Sequence, residues 1–334
     1  MGKVLLIATG GTIAMRKDQF GKVVPAVSGR DLLTSLPTLA TEAEWEVFDF
    51  SNFASCNMSP TRMLDLAGEV ERRLSADAKL QGVIITHGTD TLEETAYFLD
   101  VTIRDPRPII LAASQRDASE RDSDGPRNLR GAMLIALDRH ARGRGVVIAL
   151  NEEIHAARDV RKLHTSSVDA FSSGEIGSLG NIDNGEVIWH RRPEPTVKLG
   201  LPLYLAEVGI IKAYTGMPAG YIELMVKQGL SGLVIEAFGR GNLPPVLVSE
   251  IKDTVSRGVP VVITSRCLFG RTAPVYGYPG GGADLEKAGA WFASDLSTEK
   301  VRLLLGIALA RGTAPEQLKS MLAGGGVAEG KIRK

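Results

Sequence analysis

The sequence predicts an α/β fold: a larger N-terminal open sheet flanked by helices, then a smaller C-terminal α/β domain. Three observations lead there. Short apolar runs alternate with stretches of helical periodicity along most of the chain. The 334 residues are enough for two domains of ordinary size. A segment rich in proline and charge, residues 191–202, interrupts the alternation. The expected divisions are an N-terminal domain over 1–190, a linker over 191–206, a C-terminal domain over 207–325 and a flexible tail over 326–334.

The elements follow in order. Apolar runs at 4–8, 46–50, 82–86, 108–112 and 145–150 read as strands. Ser59 and Pro60 open a helix as cap and first-turn residue. Met63, Leu66, Ala67, Val70 and Leu74 then recur at helical spacing, a stripe assigned to core packing. Residues 92–99 read as a helix, with Thr91 and Glu94 fitting a capping box. Another helix is expected over 125–139, after an acidic, polar loop. Residues 151–190 read as short strands and turns, with a turn over 181–185. The second domain has strands at 207–211, 232–237 and 260–264, and helices near 219–228, 245–257 and 298–310.

Composition narrows the function. Lysine plus arginine total 39, as do aspartate plus glutamate, so net charge is zero. A general nucleic-acid binder would be basic. Zero net charge also leaves little colloidal repulsion, which suits self-association. Two cysteines, Cys56 and Cys267, are too few for a disulfide framework. No apolar run reaches the length of a membrane span, and no signal-peptide pattern precedes the first strand. A cytoplasmic location is expected, with no membrane or nucleic-acid partner.

The chemistry concentrates in two threonine-glycine loops. Thr9-Gly10-Gly11-Thr12 follows the first strand, and His87-Gly88-Thr89-Asp90-Thr91 follows the third. The carboxyl edge of an open parallel sheet is where ligands bind. Glycine allows close backbone approach and frees amide N–H groups to face an anion. Neither loop has dinucleotide or P-loop spacing. The five histidines lack HExxH spacing, and the cysteines lie far apart, so neither metal nor cofactor is expected. No G-x-S-x-G elbow is present. Threonine chemistry remains, and a threonine hydroxyl needs a base or strong field beside it. Lys162 could serve when neutral, with Asp90 orienting it or holding a substrate ammonium. The competing reading makes Lys162 a solvated surface charge and the loop threonines turn and cap residues.

Both loops match the defining motifs of the bacterial-type L-asparaginase/glutaminase family, which the chain resembles from Gly2 to about Leu322. Further matches follow in order: Ser55 with Asn57-Met58-Ser59-Pro60, Asp124-Gly125-Pro126 with Asn128-Leu129, Ala157-Arg158-Asp159-Val160 with Lys162, and Gly239-Arg240-Gly241-Asn242. The resemblance is greater to the intracellular and archaeal branch. It implies that Thr12 is the nucleophile, and that Thr89, Lys162 and Asp90 form a second hydroxyl–amine–carboxylate triad. It implies a substrate pocket of Gly11, Ser55, Cys56, Gly88, Thr89 and Asp90. Ser55 would hold the substrate α-carboxylate and Asp90 its α-ammonium. Asn242 would come from a neighbouring subunit, making the competent unit a homodimer or homotetramer with shared sites.

Some residues depart from that pattern. Relatives carry a tyrosine on a mobile lid soon after the first loop. Here residues 18–29 contain none; Phe20 has a ring without a hydroxyl, and Val23 is the expected aligned position. Tyr276 and Tyr278, in Tyr276-Gly277-Tyr278-Pro279-Gly280-Gly281-Gly282, are auxiliary candidates or else packed turn residues. Cys56 follows Ser55 where many relatives are polar, and burial as a small hydrophobe is expected. His87, able to titrate near neutrality, is read as holding its loop. The resulting expectation is an asparaginase with possible minor glutaminase activity. Alternatives are an amidase for another small amide, an amidotransferase subunit, and a catalytically idle amino-acid sensor.

Overall fold

The computed structural model describes residues 2–324. Contacts divide the chain into one compact unit ending at Gly200 and another beginning at Leu201. The tail expected over 326–334 lies outside the described residues.

The first unit is built on an eight-stranded sheet. Its strands are β1 (Lys3–Gly10), β2 (Glu44–Phe53), β3 (Leu80–Thr86), β4 (Ile109–Ala112), β5 (Val146–Leu150), β6 (Glu153–Ala156), β7 (Gly180–Asp183) and β8 (Glu186–Trp189). The spatial order is β2-β1-β3-β4-β5-β6-β7-β8. The first five are parallel and the last three antiparallel. The chain steps from β1 to one side for β2 and to the other for β3. The topological switch therefore lies between β1 and β3, where open α/β sheets form their ligand crevice.

Alternation along β1 buries both faces. Val4 and Leu6 pack with Leu129, Ala132 and Met133 of the helix Gly125–Leu137. Leu5 and Ile7 point the other way and are fully buried too. The helix Pro60–Ala76 is capped by Ser59, whose hydroxyl accepts from Arg62 N–H. It buries Met63, Leu66, Ala67, Val70 and Leu74, the stripe expected from spacing. The β7–β8 turn uses Asn184 and Gly185 at φ 47° and 82°, the left-handed pair of a tight hairpin.

Residues 191–206 contain neither helix nor strand. The portion up to Gly200 nevertheless packs on the first unit. Leu199 is buried, and Lys198 pairs with Asp100 at 2.6 Å.

The second unit has a four-stranded parallel sheet of Val208–Lys212, Gly232–Ala237, Val261–Ser265 and Trp291–Phe292, in that order. Its helices include Tyr221–Val226, Val248–Ser256 and Thr298–Ala310. The two-residue strand at 291–292 and the helices Gly282–Lys287 and Pro315–Leu322 were not expected from sequence. Such short elements carry too few periodic positions to register. Among the described residues no helix is long and apolar enough to cross a membrane.

Candidate active site

Both threonine loops emerge at the switch point, from β1 and β3. Gly10 and Gly11 adopt φ of 103° and 82°, which sends the chain sharply off the end of β1. Thr12 then opens a one-turn 3₁₀ helix and is half-buried. A β-carbon on Gly11 would lie 2.3 Å from the Gly88 backbone nitrogen. A β-carbon on Gly88 would lie 2.6 Å from Ser55 Oγ. Glycine is therefore required at both positions for the two loops and Ser55 to meet. The Gly11 N–H donates to Phe53 O at 3.2 Å, so it is not free to face an anion as expected. Gly11 contributes close approach instead.

Ser55 is buried at the start of the one-turn helix Ser55–Asn57. Its hydroxyl accepts the Asp90 N–H at 3.2 Å, and its carbonyl accepts from the Thr91 hydroxyl at 2.8 Å. That last bond corrects the expected Thr91–Glu94 capping box: the Thr91 side chain caps no helix amide. It joins the second threonine loop to the Ser55 turn instead. Cys56 is exposed, against the burial expected of it. Adjacent residues on a helical turn face different ways, so burying Ser55 turns Cys56 outward.

Lys162 ends a two-residue strand, Arg161–Lys162, paired antiparallel with Phe171–Ser172. The Glu93 carboxylate anchors this strand by accepting the Lys162 backbone N–H at 2.5 Å. The ammonium reaches Thr89 Oγ1 at 2.8 Å and Asp90 Oδ1 at 2.9 Å. Its side chain is only 18% exposed, whereas that of Asp90 is 64% exposed. The surface-charge reading of Lys162 does not describe this arrangement.

His87 is fully buried. Its Nδ1 meets Gly88 O at 2.7 Å and its Nε2 meets Thr95 Oγ1 at 3.0 Å. A carbonyl can only accept, so Nδ1 carries the proton and Nε2 accepts from Thr95. Burial pushes the imidazole pKa down to about 4, partly opposed by the Gly88 hydrogen bond. His87 is thus neutral near pH 7 and clamps the loop. Thr95 and Glu93, which hold His87 and Lys162, were missed by sequence reasoning. Both look like ordinary helix residues, and their partners depend on tertiary placement.

The Asp124-Gly125-Pro126 match packs against Ile13, next to Thr12. A β-carbon on Gly125 would touch Ile13 at 3.0 Å. Asp124 accepts the backbone N–H groups of Gln115 and Arg116 at 3.0–3.1 Å.

Comparison with known proteins places the chain in a family. Residues 3–195 match the family model for the asparaginase N-terminal domain. Residues 207–322 match that for the glutaminase/asparaginase C-terminal domain. The chain is 36% identical to an L-asparaginase of Bacillus licheniformis, over 92% of this chain and 95% of that one. It is 38% identical to a probable L-asparaginase of Deinococcus radiodurans, over 97% and 98%. A crystal structure of a probable cytoplasmic L-asparaginase from Campylobacter jejuni superposes with TM-score 0.86 at 31% identity, covering 96% of this chain and 99% of that one.

The chain belongs to the asparaginase family.

Against that family pattern, the segment after Thr12 forms a hairpin of Met15–Lys17 and Val23–Pro25, with Lys17 opposite Val23. Phe20 sits at its tip, 77% exposed, and Val23 is also exposed. In this asparaginase-family chain no phenol stands on the hairpin. The second unit carries the remaining candidates. Asn242 Oδ1 accepts the Gly282 N–H at 3.2 Å, and Leu243 N–H donates to Gly280 O at 2.9 Å. Those bonds join Asn242 to the glycine-rich segment of Tyr276 and Tyr278. The two rings are exposed, with centroids 5.6 Å apart. Among the described residues no group of three or more His, Cys, Asp or Glu side chains is placed to hold a metal ion.

Proposed function

We propose that this chain hydrolyses L-asparagine to L-aspartate and ammonia, with glutamine as a minor substrate. The carrying observation is the Lys162 ammonium held between Thr89 Oγ1 and Asp90 Oδ1, on a loop touching that of Thr12.

Thr12 Oγ attacks the side-chain amide carbon and loses its proton. The tetrahedral intermediate collapses with protonation of the amide nitrogen, releasing ammonia and leaving an ester on Thr12. Water then attacks that ester, the Thr89–Lys162–Asp90 chain relays a proton, and the Thr12 hydroxyl re-forms as aspartate leaves. Ser55 already accepts from Asp90 N–H, so its own proton is available to the substrate α-carboxylate. The exposed Asp90 carboxylate is available to the α-ammonium. With that end fixed, one extra methylene displaces the scissile amide of glutamine, and misplacement of ~1 Å costs roughly a hundredfold.

We assign the work to the cytoplasm and to a homo-oligomer in which Asn242 of one chain serves the Thr12 site of another. The test is ammonia release from L-asparagine without added metal, by the wild type and by Thr12→Ala and Thr89→Ala. Both variants should keep the fold, since loop hydroxyls contribute little to stability, and both should lose turnover. A variant turning over near the wild-type rate would remove its threonine from this scheme. Cell fractionation and light scattering test the location and assembly.

A further inference from the structure

A cavity of about 250 Å³ lies in the first unit, apart from the threonine loops and lined entirely by residues between 100 and 198. That volume is below the ~300–1,000 Å³ of pockets for drug-sized ligands, so it suits a small molecule. Its wall is heavily charged, and the charges do not all cancel. Asp100 is buried and committed: its Oδ1 accepts from Val146 N–H at 2.9 Å and from Lys198 at 2.6 Å. Asp159 is committed as well, to Arg158 at 3.1 Å and Arg191 at 3.2 Å. The guanidiniums of Arg144 and Arg192 remain, opposed by the exposed carboxylate of Glu194.

Arg144 is the built part of the site. It is 9% exposed, and its guanidinium stacks on Trp189 at 4.0 Å. Its Nε donates to His140 O at 2.8 Å and its Nη1 to Arg191 O at 2.6 Å. The Nη2 group has no partner among the described residues. Arg192 likewise makes no side-chain hydrogen bond or ion pair among them. The two guanidiniums feel each other: burial first, and then the Arg192 charge, lower the Arg144 pKa, with Asp138 opposing. A nearly buried guanidinium with an open donor, facing a like charge at the exposed rim, is a setting in which an oxyanion relieves repulsion and fills hydrogen bonds together.

We propose that this cavity binds a small oxyanion, a phosphate or a dicarboxylate, between Arg144 and Arg192. Arg144 supplies a fixed planar fork, held by its stacking and its two carbonyl bonds. Arg192 closes over the ligand from the rim. The site is independent of the asparagine-hydrolysing reading.

Isothermal titration with inorganic phosphate and, separately, with succinate tests it in the full-length protein. Saturable binding of either by the wild type is expected, weakened at least tenfold by Arg192→Gln and less by Arg192→Lys. Arg192→Gln should keep the wild-type thermal unfolding midpoint, which shows that the fold is intact. Binding of phosphate alone or of succinate alone identifies the source; binding of both makes the site a general oxyanion site. Arg144→Lys, which keeps the charge but loses the fork, should also weaken binding in variants whose thermal unfolding matches the wild type. Absence of saturable binding by both anions would overturn the proposal. So would affinity that Arg192→Gln leaves unchanged.

Discussion

The Lys162 ammonium lies 2.8 Å from the Thr89 hydroxyl, across 73 positions of sequence. It reaches there because Glu93, four residues after Thr89, grips the Lys162 backbone N–H. The amine and the hydroxyl are thus fixed by one helix start and one short strand. Removing the amine should disable proton transfer while leaving both supports in place.

Lys162→Met should lower kcat by about 10²–10⁴, the usual contribution of a positioned acid–base group. KM should move much less. Lys162→Arg should not recover the rate: a guanidinium keeps the charge but cannot release its proton in a protein. Steady-state kinetics of both variants decide the point. An arginine variant near the wild-type rate would mean that positive field alone suffices.

Gly11→Ala should harm stability and turnover together. Its new methyl would enter the Gly88 backbone at 2.3 Å, at a φ of 82° that alanine disfavours. Overpacking alone costs about 1–3 kcal/mol. Backbone atoms cannot move aside as a flexible side chain would, so the loops must separate. Urea denaturation and ammonia release should both show the loss. A fully stable, fully active alanine variant would contradict the close approach of the two loops.

His87 should make stability fall in acid. The native fold keeps its pKa at about 4, below the ordinary value of about 6.5. The unfolded chain therefore takes up the proton first. The contribution is fully present above about pH 6.5 and is lost as pH falls from there through 4. A shift of that size corresponds to about 3 kcal/mol. Denaturation of wild type and His87→Gln at pH 7 and pH 4 tests this. The wild type should lose about that much more than the variant, and equal losses would exclude His87 as the source.

The parts of this fold legible in the sequence are those governed by local pattern. The buried stripe from Met63 to Leu74 is a simple helical period, and the strands ending at Gly10 and Thr86 are plain apolar runs. Lys162 is different. Its neighbours Arg158, Asp159 and Arg161 give it the look of a surface run, and only the family resemblance marked it out. Its burial comes from a two-residue pairing with Phe171–Ser172 and from Glu93, contacts that no window of sequence encodes. Cys56 shows the opposite error. Its type favours burial, but the turn that tucks Ser55 beneath Gly88 leaves it outside. Thr91 illustrates competition between partners: a sound local capping pattern yields to the Ser55 carbonyl.

Assembly can be tested through the site itself. Asn242 lies in the second unit and the threonine loops in the first. Among the described residues the Asn242 side-chain carbonyl accepts one N–H, from Gly282, and a carbonyl has two lone pairs. One acceptor position is therefore available to a substrate ammonium. If that substrate sits beside Thr12 of a neighbouring chain, two inactive chains can complement each other. Thr12→Ala and Asn242→Ala chains, each nearly inactive alone, should regain activity after subunit exchange. In a hybrid dimer one site combines Thr12 of one chain with Asn242 of the other, while the second site lacks both. Random pairing makes half of the dimers hybrids, each with one intact site of two, so recovery should approach about a quarter of wild type. Hybrids verified by mass that recover no activity would show that each chain completes its own site, or that Asn242 takes no part in it.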